Sequence, residues 1–149
     1  MGTRLFGTGF LPVSANDACK FLAYSSSDIT LTTITTGSTI TFDTAAIDTA
    51  GAHSATAYNF TCPSEGHYLV HVQLEVNQAV TIRLYKTGTL VAQTSVKDGT
   101  DNTVQLTHMA LASAGDTFQV MGMNHDGGGS DATIKAKAKC SRFMVLKLA

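Results

Sequence analysis

The sequence predicts an all-β fold, two antiparallel sheets packed as a sandwich, on three observations. Apolar and polar residues alternate with period two along most of the chain, as in strands with one buried face. No segment sustains the spacing of an amphipathic helix. Turn signals built on glycine, aspartate and serine recur between short strand-like runs. A length of 149 residues suits one domain, and a 44% hydrophobic composition is enough for a core.

Residues 1–37 hold glycines, a proline and a serine triplet with weak periodicity, and read as an arm ahead of a compact body, 38–149. Inside that stretch Ile29 and Leu31 begin a strand pattern, which Gly37-Ser38 turns into a strand over 39–43. The clearest strand is 66–76. Tyr68, Val70, Val72, Leu74 and Val76 share one face, against His67, His71, Gln73 and Glu75 on the other, with Leu69 the apolar exception. A hairpin follows: Val80, Ile82 and Leu84 lead to the turn Lys86-Thr87-Gly88, and the return strand covers 90–96. Beyond a polar loop, 97–102, come strands over 103–111 and 117–123, joined by the turn Ser113-Ala114-Gly115-Asp116. A glycine-rich loop, 124–131, precedes the last strand. Its first half alternates Ile134, Ala136, Ala138 and Cys140 with Lys135, Lys137 and Lys139; its second half, 143–148, reads as a buried run.

Charged residues make up only 14% of the chain, against about 25% in a typical soluble domain. Threonine and other neutral polar residues must supply the surface, which other subunits can cover at small desolvation cost. A net charge of −1 leaves no electrostatic footprint for nucleic acid or an anionic membrane. No apolar run is long enough to span a bilayer. The run from Leu5 to Val13 is broken by Gly7, Gly9 and Pro12, so no signal peptide is recognised. Three cysteines, Cys19, Cys62 and Cys140, cannot pair evenly and read as small apolar residues.

Four marks stand in order over residues 60–146: Phe60-Thr61-Cys62-Pro63-Ser64-Glu65-Gly66-His67-Tyr68, Lys86-Thr87-Gly88, Leu111 with Gly115-Asp116, and Ser141-Arg142-Phe143 with Leu146. Together they resemble the C1q-like branch of the C1q/TNF jelly-roll superfamily. The first is similar to the Phe-Thr-Cys-Pro-x-x-Gly-x-Tyr element that enters a long central strand. The others resemble its Lys-Asn-Gly hairpin, its Leu-x-x-Gly-Asp turn and its closing Ser-Thr-Phe-Ser-Gly-Phe-Leu strand. Departures are the lack of a Gly-X-Y stalk, Val145 where an aromatic is usual, and fewer aromatics. The resemblance implies an antiparallel jelly roll that packs as a homotrimer, with Phe60, Cys62, Pro63, Gly66, Tyr68, Gly88, Gly115, Asp116 and Phe143 in structural roles. It names no function, because such domains bind varied partners.

Chemistry finds little footing. His67 and His71 would share a helix face, but on a strand they stand about 13 Å apart and cannot grip one metal. Asp126 and Asp131, with His125, flank a glycine loop where calcium is conceivable, yet the spacing fits no EF-hand, and a plain turn explains it. Cys62 with His67 suggests a thiolate pair, but packing accounts for the cysteine better. The lysine row at 135, 137 and 139 reads as a solvated strand face. The chain contains no nucleophile elbow, P-loop or HExxH. No catalytic residue, metal or cofactor is expected, and the chain reads as a non-enzyme.

Two roles fit these observations. One is a virion protein on a phage capsid surface, a decoration (cement) protein or short head fibre bound to the major capsid protein. Leu5, Phe6, Phe10, Leu11, Phe21 and Leu22 of the arm would then be the contact residues. The other is a soluble trimeric recognition module that binds proteins or a host-surface glycan through loops 97–102 and 124–131. Tryptophan is absent and those loops hold no aromatic, which weighs against sugar binding.

Overall fold

A computed structural model describes residues 19–32, 37–97, 102–125, 130–136 and 140–148. The described residues form thirteen strands and no helix. In chain order these are β1 Lys20–Tyr24, β2 Ile29–Leu31, β3 Ser38–Thr39, β4 Thr44–Asp48, β5 His53–Ser54, β6 Asn59–Thr61, β7 Gly66–Val76, β8 Val80–Lys86, β9 Thr89–Val96, β10 Asn102–Ala112, β11 Thr117–Asn124, β12 Ala132–Ile134 and β13 Arg142–Lys147. They make two sheets, and every pairing is antiparallel. In the first sheet β4, β1, β13, β7 and β10 lie side by side, with β2 and β12 extending the β13 side of β7. The second runs β5-β6-β11-β8-β9, and β3 also pairs with β11. The chain crosses from sheet to sheet between β7 and β8, β9 and β10, and β10 and β11, the winding of a jelly roll.

Strand β7 organises the first sheet. All of its eleven residues pair with β10, and Tyr68–Gln73 pair with β13 on its other side. Its alternation therefore decides two faces at once: Tyr68, Val70, Val72, Leu74 and Val76 are fully buried. Facing them from the second sheet are Phe60, Ile82, Leu84, Phe118 and Val120. Aromatic rings knit the layers: Phe21 lies 5.2 Å from both Phe60 and Phe143, and Phe42 lies 5.5 Å from Phe143. In β11, Gly122 leaves room that a side chain would need, since a Cβ there would come within 2.9 Å of Leu31 Cδ1.

Three segments far apart in sequence are tied at one end of the sandwich. The Cys62 amide donates to Asp116 O and its carbonyl accepts from Gly115 N. The Asp116 carboxylate accepts from Ser113 N at 3.0 Å and from Thr87 Oγ1 at 3.0 Å, with Lys86 Nζ at 3.4 Å. These bonds, those from Ser113 and Thr87 foremost, hold its carboxyl below the usual range. Thr87 (φ 46°) and Gly88 (φ 79°) make the positive-φ turn between β8 and β9. That conformation is costly for a β-branched residue. The Thr87 hydroxyl offsets it by bonding both Asp116 and the Thr117 amide.

The body begins earlier than residue 38. Strand β1 pairs with β13 and β4, β2 pairs with β12, and Phe21 and Leu31 belong to the core. The sequence hides β1 because it is apolar on both faces: Phe21 and Ala23 point inward while Leu22 points out. Two-sided strands lose the period-two signal. The stretch from 39 to 43 is strand only at its start, although Ile40 and Phe42 are fully buried. The final segment is two strands, not one, and the run after Phe143 is not buried throughout. Phe143 and Val145 enter the core, whereas Met144 and Leu146 are exposed.

Phe21→Ala should lower the free energy of unfolding by about 3–5 kcal/mol in urea denaturation, the cost of emptying a core aromatic site. Unchanged stability would return Phe21 to a separate arm.

Candidate functional site

Outward-pointing residues of the first sheet carry the exposed apolar side chains. Register places Ile47 (β4), Leu22 (β1), Met144 (β13), His71 (β7) and Thr107 (β10) in one row across the strands. The next row is Lys20, Leu146, Leu69 and Met109. Leu111 stands opposite His67, whose carbonyl accepts from the Leu148 amide. Among the described residues seven large hydrophobic side chains are exposed, and six of them lie here: Ile47, Met109, Leu111, Met144, Leu146 and Leu148. Met109 is 59% accessible and Leu111 57%. Only Leu90 lies on the other sheet. Scattered surface hydrophobics need no explanation, but a clustered face does.

Polar groups interrupt this face in an ordered way. The His71 Nδ1 lies 2.9 Å from Thr107 Oγ1. Arg142 Nη2 donates to Gln73 Oε1 at 3.1 Å, and Gln73 Nε2 donates to Cys140 O. Burial, and next the Arg142 charge, push the His71 imidazole below the usual histidine range. Arg142 Nε is buried and has no hydrogen-bond partner among the described residues.

The remaining candidates are dispersed. Leu5, Phe6, Phe10 and Leu11 lie outside the described residues. Phe21 is core, and Leu22 contributes to the apolar face instead of an arm. Phe60, Cys62, Tyr68 and Phe143 are buried, while Pro63 is exposed just before Gly66 opens β7. Tyr68 donates its hydroxyl to Ser64 O at 2.7 Å, closing the loop into β7. His67 is exposed and His71 half-buried. No cluster of three or more histidine, cysteine or acidic side chains gathers among the described residues. Asp131 is exposed, and Asp126 lies outside the described residues. Of the lysine row, only Lys135 is described, 3.7 Å from Asp28.

The cysteine geometry opposes nucleophilic chemistry. Cys62 is 1% exposed, and burial, with Asp116 adding to it, pushes its thiol up to about 12. Burial raises the Cys19 thiol as well. Both stay protonated at neutral pH and pack as small apolar groups. What the arrangement offers is an apolar outer face on the first sheet.

No protein-family model matches the chain, and no curated protein matches it. Solved structures do. The chain is similar to Eiger TNF from S. frugiperda, with 17% identity and TM-score 0.66 over 89% of this chain and 92% of that one. It is similar to the globular domain of zebrafish complement 1qA, with 15% identity and TM-score 0.66 over 88% and 97%. Murine APRIL gives 9% identity and TM-score 0.69 over 88% and 99%. At these identities the likeness establishes the fold, a C1q/TNF-like jelly roll.

A thiol reagent at mildly alkaline pH should leave Cys62 unmodified until the protein is unfolded. Labelling of native Cys62 at the rate of a free thiol would contradict its burial.

Proposed function

We propose that this chain is a non-enzymatic structural module that works as a homotrimer, each copy covering its neighbour's apolar face on the first sheet. The observation that carries this reading is the gathering, among the described residues, of six of seven exposed large hydrophobics on one face. Those side chains are already partly covered, so burying them contributes on the order of 5 kcal/mol per subunit before ordering costs. Low charge supports the same reading, since few ions need be stripped of water. The resemblance to C1q-like domains and the fold shared with TNF and complement structures support a threefold arrangement.

The finer role proposed is a virion surface protein, a capsid decoration protein or short head fibre. A trimer matches threefold positions of a capsid lattice. The segment before Cys19 supplies the attachment, with Leu5, Phe6, Phe10 and Leu11 against the major capsid protein. The recognition-module reading draws on the same fold likeness, with loops 97–102 and 124–131 meeting a protein or glycan.

Light scattering on the whole chain should give three times the chain mass. Met109→Glu with Leu146→Glu should give folded monomers, because each charge would be buried unpaired in the assembly while the isolated fold loses no more than about 0.5 kcal/mol per exposed site. A wild-type monomer at micromolar concentration would overturn the trimer. Removing residues 1–18 should preserve the trimer and abolish sedimentation with capsids. Full capsid occupancy by the shortened chain would move the contact to the jelly roll, and binding only to glycans would favour the recognition module.

A further inference from the structure

His71 is a polar residue placed among apolar ones, and its position has consequences for assembly. It lies midway along β7, on the outward face, opposite Met144 of β13 and Thr107 of β10. Leu69 and Met109 occupy the next row. A neighbouring copy that covers Met144, Leu146, Leu69 and Met109 also covers this imidazole.

Neutral, the ring satisfies one nitrogen with the Thr107 hydroxyl at 2.9 Å. Protonated, it must donate from both nitrogens and hold a full charge in a face closed to water. Nothing among the described residues is placed to neutralise it. From β13 the facing charge is Arg142, of the same sign, which is engaged with Gln73. From β10 the outward residues Thr103, Gln105, Thr107, Met109 and Leu111 are all uncharged. Beyond β13, β1 presents Lys20, Leu22 and Tyr24. On β7 itself His67 and Glu75 lie four residues away on either side, about 13 Å by strand rise. Asp48 of β4 is taken up by the Ala52 and His53 amides.

We infer that His71 makes the assembly acid-labile: the trimer closes over a neutral imidazole and opens when that imidazole is protonated. This inference rests on the trimer reading and adds a control to it. The sign follows from linkage. The assembled state disfavours the charged ring, so free subunits bind more protons than assembled ones. Association is at full strength at and above about pH 6.5, the ordinary histidine value, and weakens as pH falls below it, because burial and the Arg142 charge already hold the ring of a single subunit under that value.

The test is sedimentation of the whole wild-type chain and of His71→Gln at about pH 7.5 and about pH 5, the range over which histidine titrates. Circular dichroism under each condition establishes that the subunits remain folded. The wild-type dissociation constant should rise at least about tenfold on acidification, one unit of pKa difference, and that of His71→Gln should stay within about threefold. Arg142→Gln, which removes the like charge and keeps the ring, should show a smaller rise than wild type. A wild-type trimer equally tight at both values overturns the inference and leaves the trimer standing. Equal acid sensitivity in His71→Gln overturns it too, by assigning the effect to other groups. A wild-type monomer already at the higher pH overturns both readings.

Discussion

The register of β7 is the constraint on which the rest depends. The strand is paired along its whole length to β10 and along its middle to β13, so a slip of one residue would exchange both faces of the first sheet. Fixed as it is, it sends five apolar side chains into the core and leaves Leu69 and His71 outside, in line with the outward residues of β13 and β10. The apolar outer face is thus built by the same alternation that builds the core. The second sheet closes the other side of that core, and the aromatic contacts of Phe21, Phe42, Phe60 and Phe143 bind the two layers.

The polar ties and the apolar face divide the work. At one end of the sandwich the Cys62 backbone, Asp116, Thr87 and Lys86 lock three distant turns together, which fixes where β6, β8 and β11 begin and end. These groups satisfy one another, and their bonds explain why the resembled motif residues are needed without any chemistry. The thiols of Cys19 and Cys62 are buried and protonated, and His53, His67, His71 and His108 are spread over three strands. What is left over, after the fold has been satisfied, is apolar area on one side of one sheet. Water is a poor partner for that area, which is the ground for the proposed contact with a second copy of the chain.

Much of this was legible in the sequence. Strand β7, the β8–β9 hairpin with its Lys86-Thr87-Gly88 turn, and the turn at Gly115-Asp116 follow from alternation and turn chemistry at the residues expected. The failures share a cause. Strand β1 and the end of β13 carry apolar residues on both faces, because Phe21, Ala23, Phe143 and Val145 meet the core while Leu22, Met144 and Leu146 point outward. A two-sided apolar strand looks aperiodic when short and wholly buried when longer, so Phe21 read as arm and Met144 and Leu146 read as core. Leu69 looked like an exception for the same reason. These irregularities were themselves the mark of the outer face, and only the pairing of β1 with β13 and of β13 with β7 shows that they coincide.

That face can be probed residue by residue, since Met144 reports from its middle strand β13, Met109 from β10 at its edge and Met121 from the second sheet. Mild peroxide treatment of the intact protein, read by mass spectrometry, compares the oxidation of each thioether with its exposure. In a single chain Met109, 59% accessible, would be the first of these to oxidise. Copies closed over the first sheet should instead protect Met109 and Met144 relative to Met121, and dilution or the Met109→Glu, Leu146→Glu pair should remove the protection from Met144. Rapid oxidation of Met109 in the undiluted protein would mean that the face is open to water and that the sheet has no partner there.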